Sequence, residues 1–216
     1  MAQSIQNGMI DFNAVTPFNE MDYFDLQSTC LSCNKCNLSQ TRQNVVVGSG
    51  NVPCNLMIIG EGPGEQEDRE GMPFVGRSGQ LLTKILDSVG IQRDRDVYIA
   101  NTVKCRPPEN RNPHRNEIDA CKDYLIRQVQ LVQPKILLLL GNPSLKTVLG
   151  DQFSITKVRG QWFTYAVSYM ADPLYIMPLF HPSYLLRNAS RDVGSPKWLT
   201  WKDAKEVKAA LSFYEA

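Results

Sequence analysis

Apolar residues along this chain fall into short runs separated by polar, glycine-rich or proline-rich stretches. LMIIG at 56–60, VYIANTV at 97–103, KILLLLG at 135–141 and LYIMPLF at 174–180 are each of strand length. The unbroken run at 136–140 marks a central strand covered on both faces. Residues 45–47 predict a further strand, and residues 154–167 alternate enough to predict an edge hairpin around Arg159 and Gly160. Between these runs the spacing turns helical. Leu81, Leu82, Ile85, Leu86 and Val89 keep one face until Gly90. Residues 116–133 put Ile118, Cys121, Leu125, Val129 and Val132 on another, so Cys121 faces inward. A short helix is expected over 143–149, and a last one through Phe213, opened by Thr200 and Asp203 as a capping box. The alternation predicts an α/β fold: a three-layer α/β/α sandwich around a central, mainly parallel four-stranded sheet.

Residues 1–28 break the pattern and read as an extension, helical near 20–26, ahead of one domain over 29–216. A chain of 216 residues buries about 70% of its unfolded surface and needs no staples. No uncharged apolar run approaches the roughly 20 residues of a membrane span. The start, MAQSIQNGMIDFN, has no basic region followed by an apolar core. A soluble, cytoplasmic monomer is expected. Lys and Arg total 23 against 22 for Asp and Glu, so any nucleic-acid affinity must come from a local patch.

The stretch GEGPGEQEDREGMPFVGRSGQLL at 60–82 leaves one strand and enters one helix. Its glycines permit close backbone approach, its prolines stiffen it, and it presents Glu61, Glu65, Glu67, Asp68, Glu70 and an exposed ring, Phe74. Neither GxxxxGK[ST] nor GxGxxG is present, so nucleotide-loop fingerprints do not apply. The helix start near Ser78 and Gly79 offers free N–H groups to a phosphate. Four basic residues of 104–115, on a proline-stiffened loop, suit either a DNA-backbone edge or a solvated surface.

Cys30, Cys33 and Cys36 precede Cys54, Cys105 and Cys121. In a reducing compartment disulfides are disfavoured. A CxxC pair completed by two distant cysteines suits a four-thiolate site for zinc or an iron–sulfur cluster, and spacing alone leaves open which of the first three ligate.

Three strand ends each carry a distinct group. Phe74 can stack on a planar base, Asn101 offers a donor and an acceptor, and His181 can donate to a developing anion. Singly, each has an ordinary reading: core ring, turn cap, structural hydrogen bonder. Their coincidence outside the carboxyl ends of parallel strands, beside the cysteine pattern, points to a site.

The motifs GEGPGEQEDREGMPFVGRSGQLL, NTVKCRPPENRNP and HPSYLLRN, with Cys33, Cys36, Leu38 and Arg42 in a CxxCxLxxxR pattern, resemble the iron–sulfur family 4 of the uracil-DNA glycosylase superfamily. The resemblance runs from about Cys33 to Leu211. It implies a [4Fe-4S] cluster on Cys33, Cys36, Cys105 and Cys121, leaving Cys30 and Cys54 as small apolar residues. It implies uracil-containing DNA as substrate, with hydrolysis of the N-glycosidic bond to leave an abasic site. His181 would donate to uracil O2, Glu61 would position water or meet the cationic sugar, and Asn101, Phe74, Gly62 and Glu67 would hold the base. Ser78 and Arg187 would hold the DNA backbone, while Leu185 or Leu186 wedges into the gap. A sister group traps DNA covalently through a histidine in a basic insert. KCRPPENRNPHR at 104–115 has no such insert, although His114 stands nearby, so hydrolysis is favoured. The alternative of another class is a non-catalytic iron–sulfur module that binds nucleic acid or carries electrons.

Overall fold

In the computed structural model, which describes residues 2–5 and 10–214, helices cover both faces of one sheet. Its strands are β1 (Gln3–Ser4), β2 (Leu56–Gly60), β3 (Val97–Asn101), β4 (Ile136–Leu140), β5 (Phe163–Tyr165) and β6 (Leu174–Leu179), in the order β1-β5-β6-β4-β2-β3. The helices are α1 (Tyr23–Leu31), α2 (Glu65–Glu70), α3 (Arg77–Asp87), α4 (Arg93–Asp96), α5 (Arg115–Val132), α6 (Gly141–Leu149), α7 (Ile155–Val158), α8 (Pro182–Arg187) and α9 (Pro196–Leu211).

The four long apolar runs form the parallel centre, β3-β2-β4-β6. Leu56, Ile58, Ile99 and Leu138 pack with Leu82 and Leu86 of α3 and Val207 of α9. Met57, Ile59, Tyr98 and Leu137 pack with Leu125 and Val129 of α5 and Val148 of α6. Burial on both faces explains why these strands read as continuous rather than alternating runs.

The sheet has six strands rather than four. Residues 154–167 form no hairpin. Ile155 and Val158, three apart, make the single turn α7, Gly160 reverses the chain at φ +68°, and only β5 pairs, antiparallel to β6. The extension adds β1 beside β5. Residues 45–47 are buried but lie outside every strand; their ladder role shrinks to Val46 N–H donating to Lys104 O and a bridge from Ser49 to Ile99. The last helix starts a turn before Thr200. Ser195 caps it with Pro196 at the first helical position, a stronger start signal than Thr200 with Asp203. Thr200 instead donates to Pro196 O, and Asp203 pairs with Arg159 at 2.9 Å.

Within the extension, Ile10, Phe12 and Phe18 are buried. The helix expected at 20–26 begins at Tyr23, capped by Asp22; Met1 and residues 6–9 lie outside the described residues. No helix among the described residues is long and apolar enough to cross a membrane.

From β2 the chain passes outward to β3, then crosses back to β4 on the other side of β2. Such a reversal opens a crevice beyond the carboxyl ends of the strands.

Candidate active site

That crevice holds a pocket of about 220 Å³ lined by Glu61, Gly62, Glu67, Phe74, Ser78, Asn101 and His181. Its size is below the roughly 300 Å³ at which drug-sized ligand sites begin, which suits a single ring. A larger cavity of about 730 Å³, between the end of α9 and the β1–β5–β6 edge, is lined by Trp162, Tyr175 and Phe213, with no acid, base or cysteine among the described residues. The smaller pocket is where the strand-end groups Glu61, Asn101 and His181 meet.

The pocket floor is built by strand register. Gly60 of β2 stands opposite Asn101 of β3. A Cβ on Gly60 would lie 2.4 Å from Asn101 Oδ1 and 2.6 Å from the Phe74 ring, so only glycine lets amide and ring approach. Asn101 is buried, and among the described residues its Oδ1 has no hydrogen-bond partner. A buried orphan acceptor facing a pocket needs a donor from a ligand or water.

Phe74 is not exposed as expected; it is 5% exposed, with its backbone at φ +52°. That left-handed conformation is held from behind. Arg93 donates to Phe74 O at 2.6 Å and to Pro73 O at 2.5 Å. Gly79 permits the turn, since a Cβ there would overlap Phe74 O. Glu67 faces the pocket while its carboxylate accepts N–H bonds from Gly64, Val75 and Gly76, cross-bracing the loop. Arg93 carried no sequence signal, because its partners are carbonyls 19 and 20 residues away.

Glu61 follows β2, and burial raises its pKa to about 7. His181 follows β6 and caps α8: its Nδ1 accepts from Ser183 N–H at 3.1 Å and meets Ser183 Oγ at 2.8 Å. Burial first, then the charge of Arg187, lowers the His181 pKa to about 4, against a smaller opposing pull from Glu67. The ring is therefore neutral at pH 7. With Nδ1 accepting, its proton sits on Nε2 as a donor. Gly141, at φ +86°, lets the ring in, because a Cβ there would lie 2.9 Å from His181 Cβ. Sequence reading missed both Ser183 and Gly141; the first is signalled only by the His-Pro-Ser helix start.

Arg187, at the end of α8, is outside the pocket lining. Leu185 is fully buried, which leaves Leu186, 39% exposed, as the available wedge. The basic loop is not a free cationic edge. Lys104 is buried, Arg111 pairs with Glu117 at 2.7 Å, and Arg106 bonds Asn110 Oδ1. His114 is the cap of α5.

Cys33, Cys36, Cys105 and Cys121 line one cavity together with Cys30, while Cys54 lies elsewhere and donates to Leu56 O and Asp96 O. Among the described residues no three His, Cys, Asp or Glu side chains converge as ligands of one metal ion do. Four thiols around one cavity are a donor set of the kind that zinc or an iron–sulfur cluster takes. Arg42 supports the donor set, with Nη1 3.2 Å from Cys105 Sγ and Nη2 2.6 Å from Cys33 O.

Residues 47–205 match the model of the uracil DNA glycosylase superfamily. The chain is 46% identical to a type-4 uracil-DNA glycosylase of Thermotoga maritima over 180 residues, 83% of this chain and 89% of that one. It is 45% identical to the type-4 enzyme of Sulfurisphaera tokodaii over 168 residues, 76% and 75% of the two chains. It is also 40% identical to that of Saccharolobus solfataricus over 198 residues, 89% and 88%.

Proposed function

This chain belongs to the uracil DNA glycosylase superfamily, and from that premise we propose how its pocket divides the work. The protein is a DNA repair glycosylase that hydrolyses the N-glycosidic bond of deoxyuridine in DNA. The observation that carries the assignment of roles is the meeting of a neutral His181, a half-buried Glu61 and the unpartnered Asn101 Oδ1 in one single-ring pocket.

The target nucleotide leaves the stack, or arrives in a single strand, and enters the pocket. Asn101 binds the polar edge of uracil and so supplies its own missing partner. Phe74 lies along the base, and Gly62 and Glu67 close its sides. As the glycosidic bond breaks, its electron pair passes to uracil, and His181 Nε2–H donates to the charge growing on O2. The sugar becomes cationic. Glu61 orients a water toward the sugar carbon and takes its proton, a task suited to a carboxyl that titrates near neutrality. Uracil and an abasic site result. Ser78, in the first turn of α3, and Arg187 hold flanking phosphates, with Leu186 entering the vacated stack.

Cys33, Cys36, Cys105 and Cys121 would hold a [4Fe-4S] cluster, which supplies a structural cross-link between the amino-terminal segment and the loop after β3. The catalytic unit proposed is 29–216, with residues 1–28 as an extension that contributes the buried Ile10, Phe12 and Phe18 to the core. The protein acts as a monomer in the cytoplasm, at the nucleoid.

An oligonucleotide carrying one uracil, run on a denaturing gel before and after alkali, tests this reading. Alkali-dependent cleavage at the uracil is expected. A denaturant-resistant protein–DNA band would mean covalent trapping, and intact DNA with iron-loaded protein would mean a binding module.

A further inference from the structure

Lys104 is 1% exposed. Its Nζ donates to the main-chain carbonyl of Asn101 at 2.7 Å, and its side chain lines the cysteine cavity. A buried amine must satisfy its donors, and among the described residues no carboxylate pairs with it. It shares its cavity with Cys33, Cys36, Cys105 and Cys121, the four thiols assigned to the cluster.

The turn that Lys104 closes touches the pocket on its other side. Thr102 N–H donates to Gly60 O at 3.0 Å, Val103 N–H to Glu61 O at 3.2 Å, and the Thr102 hydroxyl to Glu61 O. One short turn therefore stands between the thiols and both the base-reading amide and the loop bearing Glu61. We propose that Lys104 is a positioning residue that couples the cysteine site to the pocket: standing in the lining of the cysteine cavity, it clamps the Asn101 carbonyl and so fixes the amide that reads uracil. This rests on the assignment of Asn101 to the base edge. It gives the cysteine site a part in substrate recognition beyond bracing the fold.

The test is a double-variant cycle on iron-loaded protein with Lys104→Met and Asn101→Ala. The readouts are single-turnover cleavage of a uracil oligonucleotide, affinity for the same strand with thymine in place of uracil, and iron per chain. Lys104→Met is expected to slow cleavage about tenfold, to leave affinity for the thymine strand unchanged, and to add no further loss when residue 101 is Ala. Losses that multiply in the double variant, or a wild-type rate in Lys104→Met, would overturn the positioning role. A wild-type rate in Asn101→Ala would instead overturn the base-reading assignment, and the proposal with it. Should Lys104→Met not fold, hydrogen exchange on the wild-type chain carries the test. Oxidative loss of iron is expected to speed exchange at the amides of Thr102 and Val103 while Ile58 and Leu138 stay protected. Unchanged exchange at those two amides overturns the coupling.

Discussion

The backbone N–H of Ser183 donates to Nδ1 of His181 at 3.1 Å, and that one bond decides which ring nitrogen is free to work. It holds the neutral ring as the Nε2–H tautomer, a donor that needs no prior protonation. His181→Ala should lower kcat by at least about a hundredfold with DNA affinity nearly unchanged. Ser183→Ala, which keeps the N–H, should cost only a few-fold. Ser183→Pro removes the N–H at a helix position that tolerates proline, and it should approach the loss seen without the histidine. Single-turnover rates rank the three.

Glu61 sets the pH dependence. Its carboxyl titrates near 7, whereas His181 becomes neutral above about 4. The cleavage rate should therefore rise with a midpoint near pH 7, and this rise should vanish in Glu61→Gln. Stability follows the opposite sense. A carboxyl whose pKa is raised on folding stabilises the native state below its unfolded value, and that contribution is lost as pH climbs from about 4.5 to about 7. Glu61→Gln should thus gain Tm relative to wild type at pH 8 and show no gain at pH 4, as thermal melts at the two pH values will reveal.

Gly141→Ala probes the approach of the start of α6, just after β4, to the histidine. A Cβ there meets His181 and also strains a backbone at φ +86°. Roughly 1–3 kcal/mol of stability should be lost, with a fall in kcat that exceeds what unfolding explains at 20 °C. Denaturant melts alongside kinetics separate the two.

Arg93→Ala removes two charge-assisted bonds to the carbonyls of Pro73 and Phe74. Each is worth about 1.5–3 kcal/mol. The loop should loosen, raising KM for a uracil site more than it lowers kcat, although Arg93 lies outside the pocket lining. Limited proteolysis between residues 70 and 77 should accelerate in parallel.

Cys105→Ser should lose iron, colour and solubility together, whereas Cys54→Ser should keep all three, because the Cys54 thiol donates to the Leu56 and Asp96 carbonyls, away from the cavity. Full activity and solubility of Cys105→Ser without iron would remove the structural role of the cluster.

What could be read from the residues alone follows a physical division. The β2, β3, β4 and β6 strands and the α3 and α5 helices announce themselves because burial imposes a period on contiguous residues. Glu61, Asn101 and His181 were legible because each stands at or just past the end of such a run, and Phe74 because it lies on the glycine-rich stretch that follows one. Residues 45–47 misled because an apolar triplet is buried equally well without a ladder. Residues 154–167 misled because the true alternation at Phe163, Tyr165 and Val167 does not reach back to Ile155 and Val158, which are three apart and make a helical turn. Lys104 was the largest misreading. In a run of four cations nothing local distinguishes the one that folds inward, since its partners are a carbonyl three residues back and sulfurs brought in by other elements.

The pairing of Gly60 with Asn101 makes the sheet itself a gauge. The spacing between the acid-bearing loop and the amide is one inter-strand repeat, about 4.8 Å, a length held by the whole β2–β3 ladder. Loops around the pocket can vary in sequence and length without changing that repeat. Selection for a single flat ring over a bulkier one then rests on that backbone pairing together with Gly60, whose missing Cβ leaves room for the amide and the Phe74 ring.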